Sequence, residues 1–234
     1  MSEMNDQVDQ LTDRRLRTPR AAAIAGILFA VLLGTSLILI RISIPADPAD
    51  GGKWLEERAN TVALALSLAP FAGIAFLWFI GVVRDRIGHL EDRFFSSVFF
   101  GSGLLYLAMM FVSAATAGSL LSSYAIIPDQ LIDSGMYTFG RALMWRIGNV
   151  YAIRMAGVFM ISLGTIAVRT RIIPRWLAFL TYGLALVLLL SIGYSLWVTL
   201  IFPAWVLIIS IDILVVNLRR EQAGYQGDRP IQGG

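Results

Sequence analysis

The chain has 234 residues, of which 57% are hydrophobic and 15% are charged, and its mean hydropathy is +0.70. Because a water-soluble domain of this length needs more polar surface, the composition excludes an ordinary soluble protein. The absence of cysteine excludes disulfides, thiolate metal sites and a cysteine nucleophile, and the single histidine, His89, excludes a multi-histidine metal centre.

The formal net charge is +3, and 18 of the 19 basic residues are arginine. These arginines lie beside hydrophobic runs, so membrane topology and anionic lipid headgroups explain them better than nucleic acid does. We therefore predict the lipid bilayer as a partner, no nucleic-acid partner, and no metal or other cofactor.

The chain opens with a polar tail, residues 1–20, whose composition predicts disorder. The apolar run that follows, 21–43, is longer than the core of a signal peptide and lacks a small-x-small cleavage site, so we predict an uncleaved first span. Small residues recur along this span at steps of four and predict a face for close helix packing. They are Ala22, Gly26, Ala30 and Gly34.

The second and third spans are predicted at 61–83 and 94–120. Pro70 lies near the middle of the second span, where it removes a backbone hydrogen bond and predicts a kink. In the loop before this span, Trp54 is predicted to be an interfacial anchor. The third span repeats the small-residue spacing at Ser97, Gly101, Ala114 and Gly118.

The fourth span is predicted at 148–168, after a long loop that ends in an aromatic and partly basic stretch, 135–146. That stretch is either an interfacial helix or an outward extension of the fourth span, and the sequence does not separate the two.

The carboxyl-terminal apolar region, 176–217, is about 40 residues long, which at about 1.5 Å per residue is too long for one crossing. It predicts a hairpin of two spans, 176–192 and 196–217, that turns at 191–195. Residues 219–234 are predicted to form a disordered tail.

Basic residues near the spans are distributed unevenly between the two sides, twelve against five. The twelve include Arg169, Arg171 and Arg175, which form a basic turn between the fourth and fifth spans. Since basic loops stay in the cytoplasm, we predict both termini there. The predicted fold is an all-α, polytopic bundle of six transmembrane helices.

Arg154 has the least favourable position for a charged residue, because it lies inside the fourth span. A bare charge there costs at least about 2–3 kcal/mol of insertion free energy. The functional interpretation is a buried cation that binds an anionic group. The alternative is a long side chain that extends its guanidinium to the outer headgroups.

Three carboxylates complete the candidate site residues. Asp129 and Asp133, in the long loop, are predicted to meet Arg154, Arg141 or Arg146 across an outer vestibule. Asp212 is the only acid inside a span. It is predicted to be either an ion or proton site or a helix-end acid paired with Arg84, Arg169 or Arg171.

The stretches 21–34 and 154–190 resemble small bacterial membrane proteins with six transmembrane helices, a family of unknown function. Gly157, Phe159, Leu163, Gly164, Pro174 and Arg175 carry the match. The resemblance implies a size, a helix count and the bacterial cytoplasmic membrane, and it implies no activity or catalytic residues.

Metalloprotease, phosphate-loop and serine-elbow motifs are absent from the sequence. The sequence thus favours a non-enzymatic membrane component, either a small transporter or the membrane partner of a larger assembly. Its small-residue faces predict a homo-oligomer or a membrane partner protein. The alternative is an intramembrane enzyme that acts on a lipid or another anionic amphiphile near the outer leaflet.

Overall fold

The computed structural model describes residues 2–45, 51–87, 93–169, 175–191 and 197–227, which form helices and turns without a strand. The helices are α1 (Ser2–Ser43), α2 (Trp54–Glu57), α3 (Ala59–Ile87), α4 (Arg93–Ile126), α5 (Pro128–Asp133), α6 (Met136–Arg146), α7 (Ile153–Arg169), α8 (Arg175–Leu190) and α9 (Ile201–Gly227). A π-helical segment, Ile147–Ala152, joins α6 to α7, and a 3₁₀ turn, Val198–Leu200, precedes α9.

Within the described part of the chain, five helical stretches are long and apolar enough to cross a membrane, so the chain is a multi-pass membrane protein by length and composition. They are Arg20–Ser43, Ala59–Arg84, Phe94–Ile126, Met136–Arg169 and Val198–Arg219. The remaining apolar helix, α8, has 16 residues. At about 1.5 Å per residue it is about 24 Å long, less than the roughly 30 Å of a hydrocarbon core.

Helix extends into both of the terminal segments for which the sequence predicts disorder, and the disorder of residues 1–20 and 219–234 stays a prediction. α1 begins at Ser2 and α9 continues to Gly227. Extending an existing helix adds one hydrogen bond for each residue that is fixed, which is far easier than starting one.

The structure also separates the two interpretations of residues 135–146. α6, the π segment and α7 form one continuous helical stretch, Met136–Arg169. The stretch is therefore the outward extension of the fourth span. Pro70 lies inside α3, and the helix continues through it from Ala59 to Ile87.

Two of the packed helix pairs are antiparallel, namely α7 with α8 and α1 with α9. Gly164 lies against Thr181 and Gly157 against Leu189, so α8 is antiparallel to α7. Gly26 lies against Ser210, on a helix that begins near the carboxyl end of α1. We call that end of the bundle, where α1 ends and α3 begins, the upper end.

Glycines allow some of these helices to approach closely, as the small-residue spacing predicts for part of the chain. A Cβ atom at Gly26 would overlap Ser210 Oγ and lie 2.9 Å from the Phe79 ring. A Cβ at Gly157 would lie 2.9 Å from Leu189. At Gly34 and Gly101 none of the described residues lies within 4 Å of an added Cβ, so close packing at these two positions stays a prediction.

The main core is a cluster of buried aliphatic and aromatic side chains in the middle of the bundle. Its ring pairs Phe29–Phe76 and Tyr106–Phe202 have centroids 4.5 Å apart. Contacts of this kind between α1, α3, α4 and α9 hold the helices together where hydrocarbon offers no hydrophobic driving force.

A second, smaller apolar cluster closes the upper end, and we call it the upper cap. Its buried members are Ile44, Trp54, Leu55, Val62, Leu120, Leu131 and Tyr137. Trp54 is 1% exposed, and its Nε1 donates a hydrogen bond to Tyr137 Oη at 2.9 Å. The prediction of an interfacial anchor at this position is therefore wrong, because the cap covers the indole.

Candidate ligand-binding cavity

A cavity of about 480 Å³ lies between the main core and the upper cap. Side chains of α1, α3, α4, α6, the π segment and the start of α9 line it. Small-molecule sites in proteins occupy about 300–1,000 Å³, so the volume suits a ligand.

The upper part of the cavity is rich in positive charge. Arg41, Arg141 and Arg146 line it, and among the described residues of the lining there is no aspartate, glutamate, histidine or lysine. Three guanidinium groups around one space produce a positive potential, and the low dielectric of the surrounding helices strengthens it.

Arg41 lies near the carboxyl end of α1 and is half-buried. Its Nη2 donates a hydrogen bond to Asn149 Oδ1 in the π segment at 2.6 Å. Asn149 Nδ2 in turn donates to the Trp145 carbonyl at 3.0 Å, which directs the amide oxygen of Asn149 towards Arg41. A neutral amide is the partner of Arg41, so this hydrogen bond leaves the positive charge in place.

Arg141 joins α6 to the end of α1. Its Nη1 donates to Tyr137 Oη at 2.8 Å, and its Nη2 donates to the Pro45 carbonyl at 2.5 Å. The residue is 8% exposed, so these bonds hold the guanidinium inside the cap, beside the cavity.

Arg146 completes the cationic part from the last residue of α6. Its side chain is exposed, unlike those of Arg41 and Arg141. An exposed guanidinium on the lining can reorient towards an incoming anion at lower cost than a braced one, because it has fewer contacts to lose.

The lower part of the cavity is apolar and rests on the main core. Leu33, Leu37, Met110, Leu188 and Phe202 contribute to it. On α1 the lining runs from Leu33 to Arg41, and Ile44 and Pro45 continue it just after the helix. Arg41 follows Leu33 by eight positions, which corresponds to about 12 Å along the helix and separates the apolar part from the charged part.

The π segment shapes the wall that faces α4. Gly148, Asn149 and Ala152 all line the cavity, and Ser113 Oγ donates to the Met144 carbonyl across the interface at 2.9 Å. π-helical turns are rare and often occur at functional sites, where they redirect side chains. Here the segment presents Asn149 to Arg41.

The structure places Arg154 just below the π segment and outside the cavity lining. Its Nη1 donates to the Val150 carbonyl at 3.0 Å, one turn towards the upper end. Side chains of a helix point towards its amino end, which explains the upward direction. Among the described residues, the structure brings no acid together with Arg154, and its predicted role in ligand binding stays a prediction.

The three predicted carboxylates also lie outside the cavity lining. Asp129 and Asp133 are exposed on α5, and Asp212 is half-buried on α9. Two of the predicted partners of Asp212 make other contacts: Arg84 lies 4.5 Å from the Phe100 ring centroid and Arg169 lies 4.7 Å from that of Phe95. Arg171 and His89 lie outside the described residues.

Sequence reasoning placed Arg141 and Arg146 near an outer vestibule but missed their association with Arg41. One signal for it was available. Five basic residues lie on the predicted outer side against the general bias, and three of the five line the cavity. Arginines on the outer side do not follow the preference of basic residues for cytoplasmic loops, so their position indicates a role other than orienting the chain.

Comparison of the chain with family models, with curated proteins and with solved structures finds no significant match. The resemblance to the bacterial six-helix family therefore stays a prediction, and the cavity itself carries the functional argument.

Proposed function

We propose that the protein is a non-enzymatic membrane component that binds an anionic ligand in the cavity between the main core and the upper cap. The observation that carries the proposal is the arginine-rich lining, in which Arg41, Arg141 and Arg146 face a space with no carboxylate among its described residues. Guanidinium groups bind phosphate and carboxylate oxygens through charged, often bidentate hydrogen bonds.

Binding is favoured over catalysis by the kinds of group in the lining. The described residues supply cations, amides, hydroxyls and apolar surface, whereas general acid–base chemistry most often uses histidine, aspartate or glutamate. The alternative of an intramembrane enzyme acting on a lipid or another anionic amphiphile stays a prediction.

The proposed topology is six spans with both termini in the cytoplasm of a bacterial cell. The antiparallel packing of α8 on α7 supports a sixth crossing, since α8 ascends from Arg175 and α9 descends from the upper end. Three ascending and three descending helices return the chain to the side where it began. The cavity then faces the outer leaflet of the cytoplasmic membrane.

The proposal includes a homo-oligomer or a membrane partner protein, whose contact surface uses the glycines that the chain itself leaves uncovered. Gly26, Gly157 and Gly164 are covered by helices of the same chain. Gly34 and Gly101 have nothing near them within the described residues, so a second chain would approach α1 or α4 at these positions.

The test is the equilibrium binding of tritiated lysophosphatidylglycerol to the protein in phosphatidylcholine nanodiscs, corrected for binding to empty nanodiscs. Arg41→Gln is expected to weaken binding by about tenfold or more, because a charged hydrogen bond contributes about 1.5–3 kcal/mol. Arg84→Gln is the matched control, since Arg84 lies at the lower end against Phe100.

Lysophosphatidylcholine, which carries no net charge, should compete poorly for the site. Equal affinity of the wild type and Arg41→Gln, or equal competition by the two lipids, would contradict anion binding by these arginines.

A further inference from the structure

The cavity has a polar part and an apolar part, which follow one another along the axis of α1. Arg41 lies two residues before the end of the candidate span Arg20–Ser43. Because a span of this length matches the hydrocarbon core, we expect its end to lie where headgroups meet hydrocarbon. Leu33, about 12 Å further down the same helix, belongs to the main core. A lipid in the upper leaflet has the same order, with its headgroup outside and its chain towards the middle.

The apolar part is built from large hydrophobic side chains that a small polar anion would not need. Phe202 and Tyr106 form its lower boundary with ring centroids 4.5 Å apart. Leu37, Met110 and Val198 are only partly buried by the protein and line the same space. Apolar surface left uncovered beside a cationic group is suited to a ligand that carries both chemistries.

The cationic part already contains an oxygen atom in the position that a ligand oxygen would take. Asn149 Oδ1 accepts from Arg41 Nη2 at 2.6 Å. Since an ionised oxygen forms a stronger hydrogen bond with guanidinium than an amide oxygen does, an anionic headgroup can displace Asn149.

We infer that the ligand is a membrane lipid with an anionic phosphate headgroup, which binds with the phosphate between Arg41 and Arg146 and with part of one acyl chain over Phe202 and Val198. The inference rests on the proposed function, to which it adds the chemical class of the ligand and its direction in the site. A free anion is the alternative source of the same headgroup chemistry.

The chain-binding part is tested by filling it and leaving the arginines unchanged. Val198→Trp places an indole where the acyl chain is expected, and Val187→Trp is the control, because Val187 is 47% exposed on α8 and does not line the cavity. Binding of tritiated lysophosphatidylglycerol is compared with binding of glycerophosphoglycerol, its chain-free headgroup, for each variant.

Val198→Trp is expected to weaken lysophosphatidylglycerol binding by about tenfold. This is the loss expected when roughly two methylene groups of the acyl chain are no longer buried. It should leave glycerophosphoglycerol binding unchanged, and Val187→Trp should change neither. The comparison uses the ratio of the dissociation constants of two variants in the same nanodiscs. Partition of the probe into the nanodisc affects both constants equally and therefore cancels. Leu37→Gln, which makes the same surface polar without filling it, provides a second test if Val198→Trp does not fold.

Each other outcome identifies which statement fails. If Val198→Trp and Leu37→Gln bind lysophosphatidylglycerol as the wild type does, the lipid assignment is overturned while anion binding stands. If the chain-free headgroup binds as tightly as lysophosphatidylglycerol, the ligand is a free anion. If the wild type binds neither probe, the proposed function itself is overturned.

Discussion

Gly26 is a residue at which α1 and α9 approach closely. An added Cβ would overlap Ser210 Oγ and press on the Phe79 ring. We expect Gly26→Ala to lower the free energy of unfolding by about 1–3 kcal/mol, the usual cost of overpacking a filled interface. The measurement is thermal unfolding in a neutral detergent.

Gly34 provides the matched control on the same helix. Nothing lies within 4 Å of a Cβ added at Gly34, and alanine is a better helix former than glycine by about 0.8–1 kcal/mol. Gly34→Ala should therefore leave the unfolding temperature unchanged or raise it. Equal destabilisation by the two variants would mean that α1 does not pack on α9 in this register.

Tyr137 is the residue that links the parts of the upper cap. Its hydroxyl oxygen accepts hydrogen bonds from Trp54 Nε1 and Arg141 Nη1 at 2.9 and 2.8 Å. Tyr137→Phe removes the acceptor of these buried donors, so we expect it to lower the free energy of unfolding by about 1–3 kcal/mol.

Tyr151→Phe is the control for Tyr137→Phe, because Tyr151 is 56% exposed. Both variants lose one hydroxyl, and thermal unfolding compares them directly. A loss of stability shared equally by the two would show that the cap bonds do not contribute.

Arg154 shows how far residue-scale reasoning from the sequence reaches. Its depth within a hydrophobic run was visible in the sequence, but its partner was not. The structure shows that the guanidinium bonds to the Val150 carbonyl of its own helix. Arg41 was visible only as the residue that closes the first span, because its contact with Asn149 joins positions 108 residues apart in sequence.

The π segment is the element that brings α6 and α7 into their relative orientation. A π turn contains one residue more than the α-helix that it interrupts, and each residue of an α-helix turns it by about 100°. Deleting Tyr151 should convert the segment to α-helix and rotate α6 relative to α7. Arg146 would then turn away from the cavity, and lysophosphatidylglycerol binding should fall to background while the helical circular dichroism persists.

Deletion of Ser134 is the control for the loss of one residue. Ser134 lies in the turn between α5 and α6, so its deletion leaves the phase of α6 and α7 intact. If the Tyr151 deletion variant binds lysophosphatidylglycerol as tightly as the wild type does, the π segment does not position the site.

The sequence predicts the positions of helices well where long apolar runs alone determine them. The spans at 61–83 and 94–120 fall within α3 and α4, because long apolar runs have one stable solution in lipid. The π segment and the cap were not predicted. Both depend on contacts between residues distant in sequence, such as Gly140 against Leu120, which no local pattern reports.

At the scale of the whole molecule, the proposed six spans place both termini on the same side of the membrane. The chain contains no cysteine, so single-cysteine variants can be labelled without background. In intact cells a membrane-impermeant maleimide should label Ser134→Cys, at the upper end. It should label Ser2→Cys and Ala223→Cys only after permeabilisation.

The same experiment separates six spans from five. If α8 does not cross the membrane, Ser2→Cys and Ala223→Cys will be labelled from opposite sides. If Ser2→Cys and Ala223→Cys react in intact cells and Ser134→Cys reacts only after permeabilisation, the cavity does not face the outer leaflet.

The most direct measurement of the central claim is the lipid that the protein retains when it is purified from membranes containing phosphatidylglycerol and phosphatidylethanolamine. Native mass spectrometry should find phosphatidylglycerol bound to the wild type and to Arg84→Gln, and lost from the double variant Arg41→Gln, Arg146→Gln. Retention of the same anionic lipid by the double variant, or of phosphatidylethanolamine alone by the wild type, would contradict the account.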